Sequence, residues 1–316
     1  MAYLRALGCY LPSRVVDNAE IASLVGVDPA WLLRATGIAQ RRFASPEESV
    51  ATLGALAAKD CLDTAAISGA EVGLILVSSG SSERRFPGPA TEIAAALVPA
   101  GIAAGTPAID LPLASAGSLF GLSLAASLCR DYRNVLVIGT EVMSRAVRLD
   151  PTGRDTAILF GDGAGACLVS AETGFARVVD SVIHSDGEFA SALRLDLDGP
   201  LHMDGRTIIL QAAPKIPRAI LEVLDRNSAK AGEIGTFVMH QANLNLIARV
   251  AQSLGVPVSR FFCNVERYGN TSSASLLIAA AEWWRESGQR MEAPIVLAAF
   301  GAGLNWGALL AAPYTG

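Results

Sequence analysis

The chain has 316 residues, 51% of them hydrophobic and 17% charged, with a net charge of −5. That is enough to bury one large core or two fused ones, and without a basic run nothing recommends nucleic acid or an anionic membrane as partner. No apolar run reaches the ~18 residues of a membrane span, and the opening MAYLRALGCYLP lacks the features of a leader, so a soluble cytoplasmic protein is expected.

In chain order, short apolar runs alternate with longer helical patterns. A helix is predicted around 47–66, a buried strand at VGLILVSS (72–79), and a helix around 88–98. The short strand PAID then leads through LPLASAGSLFGL into a helix over 116–129, followed by strands at NVLVIGT (134–140) and GACLVS (165–170). The second half repeats the habit with a strand at GTFVMH (235–240), helices from about 243 and about 272, and strands at 294–300 and 305–312. Such alternation predicts a layered α/β fold, and no Pro-, Gly- or Ser-rich linker parts the halves. Two similar halves fused face to face are expected.

Cys9, Cys61, Cys129, Cys167 and Cys263 are scattered, without CxxC spacing, and the chain has only three histidines to join them. They read as small apolar side chains in a reducing compartment, and no metal site is expected. The glycine cluster FGDGAGA at 160–166 is followed by a strand pattern rather than a helix, which fails the structural test for a dinucleotide fingerprint.

Three residues stand out for chemistry. Ser115 occupies a small-residue elbow between a strand and a helix, His240 ends an apolar strand, and Asn270 lies in the turn YGNTS. Singly, each has a bland account: an N-cap, a structural histidine, a turn asparagine. Together they lie where parallel α/β sheets collect ligands, at strand ends that precede helices.

The whole chain resembles the β-ketoacyl-acyl carrier protein synthase III family. The resemblance is carried by HQANLNLI from His240, YGNTSSAS around Asn270 and FGDGAGA from Phe160. Weaker matches are WLLRATGI (31–38), RFPGPAT (85–91), GRDTAILFGDG (153–163), MDGR (203–206) and FGAGLNWGALL (300–310). It implies a thiolase-like five-layer αβαβα fold of two pseudo-symmetric halves, 1–170 with the nucleophile and 171–316 with His and Asn. It also implies a homodimer that uses acyl-coenzyme A and a malonyl-thioester, with acyl carrier protein as a possible partner and no cofactor.

By this resemblance the triad is Ser115, His240 and Asn270, with Ser115 standing where the family has a nucleophilic cysteine. The oxyanion donors map to the backbone N–H groups of Ser115 and Ala302. Coenzyme A contacts map to Trp31, Arg154, Gly205 and Asn243, and Phe86 maps to the residue that closes a neighbouring protomer's acyl pocket. The chain departs from the pattern at Ala35 and Asn245, where arginines are usual, and at Val27.

A serine hydroxyl, unlike a thiol at a helix N-terminus, needs a base during attack, and His240 is the expected one. Four readings of Ser115 stay open. They are a serine-dependent condensing enzyme of fatty-acid or polyketide type, a replacement introduced into a cysteine enzyme, an acyltransferase to hydroxyl or amine acceptors, and a non-catalytic partner subunit.

Overall fold

The computed structural model describes residues 1–314; the last two residues of the expected second half lie outside it. In chain order its elements begin with β1 (Tyr3–Tyr10), β2 (Arg14–Asp17), α1 (Asn18–Val25), α2 (Pro29–Thr36), β3 (Gln40–Phe43) and α3 (Val50–Ala65). There follow β4 (Leu74–Ser78), α4 (Pro89–Ala96), β5 (Ala108–Leu111), α5 (Gly117–Tyr132), β6 (Asn134–Val142), α6 (Arg154–Ala157) and β7 (Asp162–Ser170). The second half holds β8 (Ala176–Ser185), β9 (Leu193–Arg194), β10 (His202–Met203), α7 (Gly205–Arg226), β11 (Thr236–Met239) and α8 (Leu244–Leu254). It ends with β12 (Phe261–Phe262), α9 (Val265–Tyr268), α10 (Ser275–Glu286), β13 (Ile295–Gly301) and β14 (Asn305–Pro313).

Ten strands form one hydrogen-bonded sheet in the order β12-β11-β13-β14-β8-β1-β7-β6-β4-β5. Outward from the antiparallel β8–β1 junction, each side shows the same succession: two antiparallel pairings, then two parallel ones. The strands divide their side chains by the period of two. From β4, β6 and β7, Leu74, Leu76, Val135, Val137, Cys167 and Val169 enter one core, while Ile75, Val77, Leu136, Ile138, Ala166 and Leu168 enter another.

The first of these cores surrounds α5 and α10, which touch each other and strands of both sides. An interior helix must be apolar nearly all round, and SLLIAAAEWW in α10 is. Helices α3 and α4 cover one outer face, α7 and α8 the other. The result is five layers, αβαβα.

The helical and strand segments read from the sequence coincide with α3, α4, α5, α8 and α10 and with β4 to β7, β11, β13 and β14. The largest element not read is α7, 22 residues long with Pro214 and Pro217 inside it. Proline disfavours a helix interior, yet this helix buries Ile216, Ala219, Ile220, Val223 and Leu224 against the sheet. Tertiary packing overrides the local penalty.

Candidate active site

The elbow after β5 is tight: Leu113 N–H donates to the Leu111 carbonyl and Ala116 N–H to the Ala114 carbonyl, both at 2.7 Å. Between them Ser115 has φ 62°, the left-handed region, which costs a non-glycine residue about 1 kcal/mol. Packing on both sides holds it there. A Cβ on Gly117 would lie 1.7 Å from Ser78 Oγ, and one on Gly301 would lie 2.8 Å from Ser115 Cβ, so both neighbours must be glycine. The N-cap of α5 is Ala116, with no side-chain cap bond, so the Ser115 hydroxyl does not serve as a helix cap. It is held buried at the N-terminal end of a 16-residue helix, where the dipole favours developing negative charge.

His240 follows β11 and continues its pairing through N–H to the Ala298 carbonyl at 2.8 Å. Its Nδ1 meets Ser275 Oγ at 2.5 Å. Burial pushes the imidazole down to about 4, partly opposed by a backbone hydrogen bond with Ser272. The ring is therefore neutral at pH 7.

Asn270 is placed by the FGDGAGA segment. Phe160 bridges to it, its N–H donates to the Leu159 carbonyl at 2.9 Å, and its own carbonyl accepts from Gly161 N–H at 3.1 Å. Its Oδ1 accepts from Ser272 N–H at 2.9 Å, and Nδ2 has no acceptor among the described residues. The glycines of that motif thus serve close backbone approach to the asparagine turn, not a dinucleotide.

All three residues line one cavity of about 280 Å³. Exposure orders its wall: Ser115, His240 and Asn270 are buried, while Asn245, Arg249 and Ile209 are exposed. Between these ends the lining is apolar, with Leu193, Met203, Ile208, Ile216, Met239, Leu246 and Phe300 among its residues.

Ser115 meets Ser272 twice. Its hydroxyl lies 3.5 Å from Ser272 Oγ, and among the described residues it has no direct hydrogen bond to His240. Its backbone N–H, expected as an oxyanion donor, is engaged by the same Ser272 Oγ at 3.0 Å. Ser272 makes both contacts from a left-handed backbone, φ 46°. The other expected donor, Ala302 N–H, has no protein acceptor among the described residues.

The outer residues divide. Gly205 and Asn243 line the cavity, the latter as N-cap of α8, accepting from Asn245 N–H at 2.8 Å. Trp31, Arg154 and Phe86 are absent from its wall in the single chain, and Phe86 is 84% exposed. The departures Ala35 and Asn245 touch: Asn245 Nδ2 donates to the carbonyls of Arg34 and Ala35 at 3.3 and 3.1 Å, tying α8 to the end of α2. Val27 packs beside the apolar cluster around α1 and α2.

Sequence reasoning missed the support beneath the triad. Glu141, fully buried, accepts from Ser81 Oγ (2.5 Å), Ser273 Oγ (2.8 Å), Ser79 Oγ (3.2 Å) and the N–H groups of Gly80 and Ser273. It joins the loop after β4 to the turn carrying Asn270. Gln241 donates to the Met239 and Phe262 carbonyls and accepts from Asn264 and Val265 N–H, which holds the strand end bearing His240. The only sequence signal was a lone acid closing an otherwise apolar strand. Among the described residues no three His, Cys, Asp or Glu side chains cluster as metal ligands, and no helix is long and apolar enough to cross a membrane.

Five layers and a strand order given twice, with Ser115, His240 and Asn270 on the wall of one cavity, are the marks of the thiolase-like class. Comparison with known proteins narrows it. Models described as 3-oxoacyl-[acyl-carrier-protein] synthase III and its C-terminal part match residues 109–187 and 224–312. The chain is 36% identical over 314 residues to β-ketoacyl-[acyl-carrier-protein] synthase III 1 of Vibrio parahaemolyticus, covering 96% of each. It superimposes on the 3-oxoacyl-[acyl-carrier-protein] synthase III of Aquifex aeolicus with TM-score 0.92 at 32% identity, covering 99% of this chain and 100% of that one. The priming β-ketosynthase of the R1128 polyketide pathway gives 0.89 at 30% identity, with 99% and 96% covered. The chain belongs to the 3-oxoacyl-[acyl-carrier-protein] synthase III family, and is thus a transferase of the condensing type.

Proposed function

We propose that Ser115 replaces the family's cysteine as a working nucleophile. It takes an acyl group from an acyl-thioester of coenzyme A or a carrier protein, and the acyl-serine then condenses with a malonyl-thioester to prime a fatty-acid or polyketide chain. The observation that carries the reading is the Ser115 hydroxyl itself, held on a strained elbow without a capping role and buried at the closed end of an apolar cavity beside His240 and Asn270.

In the first step Ser115 Oγ bonds to the thioester carbonyl carbon and the C–S bond breaks. The hydroxyl proton passes to neutral His240 through one bridging water and on to the departing thiolate. An imidazole with a pKa near 4 is a weak base, so acylation is expected to be slow. In the second step His240 and Asn270 Nδ2 hold the malonyl-thioester carbonyl. Loss of carbon dioxide leaves an enolate stabilised by those donors, and its carbon attacks the acyl-serine, releasing Ser115 with uptake of one proton.

Arg249, one helical turn beyond Asn245 and on the cavity wall, supplies a cation for the phosphates of either carrier. Exposed Phe86, and β5 as an open sheet edge with Ile109 47% exposed, support pairing with a second copy.

Intact-mass analysis after incubation with a panel of short acyl-coenzyme A donors tests the reading. An acyl adduct mapping to the Ser115 peptide is expected, discharged as a β-ketoacyl product when malonyl-thioester is added. Discharge only onto a hydroxyl or amine would favour simple acyl transfer. No adduct with any donor would refute the acyl-serine and favour a non-catalytic partner role.

A further inference from the structure

The turn between β13 and β14 brings Gly301 against the Ser115 elbow and presents the free Ala302 N–H. Its shape is maintained by a side chain the triad does not include. Asn305, 9% exposed, reaches back across the turn, and its Nδ2 donates to the Ala302 carbonyl at 2.5 Å. The Ala302 carbonyl can only accept, which fixes the NH2 end of the carboxamide towards it, and the Asn305 Oδ1 at the other end accepts from Ser185 Oγ at 2.6 Å. Behind this, Leu304 and Asp186 exchange backbone hydrogen bonds, both at 2.8 Å. Asp186 is itself paired with Lys215 at 2.7 Å, whose ammonium lies 4.7 Å from the centre of the Trp306 ring. The turn is therefore braced from the end of β8 rather than left to its own glycines.

The brace matters because the two expected oxyanion donors are unequal. Ser115 N–H is occupied by Ser272 Oγ, whereas Ala302 N–H is free. We propose that Asn305, anchored by Ser185, is a positioning residue that holds the Ala302 amide as the standing oxyanion donor for Ser115. The inference rests on the acyl-serine reading. Asn305 touches no substrate; it acts through the turn, by denying the peptide after Ala302 freedom to rotate. A donor misplaced by a fraction of an ångström loses much of its value to a tetrahedral oxygen while leaving ground-state binding intact.

The test compares wild type with Asn305→Ala, Asn305→Asp and Ser185→Ala. Single-turnover acylation of Ser115 is measured at varied acyl-coenzyme A. Affinity is measured for two coenzyme A analogues, a trifluoromethyl ketone that adds Ser115 to form a tetrahedral oxyanion and an unreactive thioether. Asn305→Ala should slow saturating acylation about tenfold or more at unchanged half-saturation. It should weaken the ketone by the same factor and leave the thioether within twofold. Asn305→Asp, which keeps the Ser185 bond but cannot donate to Ala302, should behave alike, and it carries the test if the alanine variant does not fold. Ser185→Ala should cost less alone and add little to Asn305→Ala.

Equal weakening of both analogues would make Asn305 merely structural, and an unchanged ketone affinity would likewise overturn the proposal. Wild type that is neither acylated nor bound by the ketone would instead defeat the acyl-serine reading and, with it, this one.

Discussion

Lowering the pH from 7 to 5 should remove about 2 kcal/mol of folding stability through His240 alone. The ring is 4% exposed and its pKa is lowered from 6.5 to about 4, burial being the main cause. Between those two values the unfolded chain binds a proton at this site and the folded chain does not, so stability falls as pH falls through that window. Above 6.5 both states are neutral and the site contributes nothing; below about 4 the loss levels off. Other groups titrate over the same range, so the quantity to measure is a difference. Urea unfolding of wild type and His240→Asn at pH 7, 6 and 5 gives the stability gap at each pH. That gap should shift by about 2 kcal/mol in favour of the variant as the pH drops from 7 to 5. A gap independent of pH would show that His240 is not held neutral, and the account of its chemistry would fail with it.

Two substitutions separate the roles of the neighbouring groups. Asn270→Asp keeps the acceptor for Ser272 N–H but exchanges the free Nδ2 donor for oxygen; decarboxylation of malonyl-thioester should fall about 100-fold or more while Ser115 adduct formation stays within a few-fold, as read by carbon dioxide release and intact mass. Glu141→Gln places an amide NH2 against N–H and O–H donors in a buried site; a loss of about 2–4 kcal/mol is expected from denaturant unfolding, and a loss below 1 kcal/mol would mean the network reorganises freely.

Much of the architecture was legible because its signals are local. Strands such as Asn134–Val142 are buried along their whole length, and the stretch from Val135 to Ile138 reads as a continuous apolar run. The elbow was visible as small residues between a strand and a helix pattern. Other elements were hidden because their local signal was misleading. The prolines of α7 argue against the helix that packing imposes, and β8 mixes Arg, Asp and His into its ten residues, one of its faces being half-open.

Local backbone chemistry sets the inventory and its placement: a serine at an elbow, a histidine at a strand end and an asparagine in a turn. Which groups touch depends on how the sheet folds. Ser272 lies 157 positions from the Ser115 it contacts, and Ser185 120 from the Asn305 it bonds. Hydrogen bonds act over about 3 Å and carry no periodicity along the chain, so only the folded sheet could show that the serine elbow meets another serine.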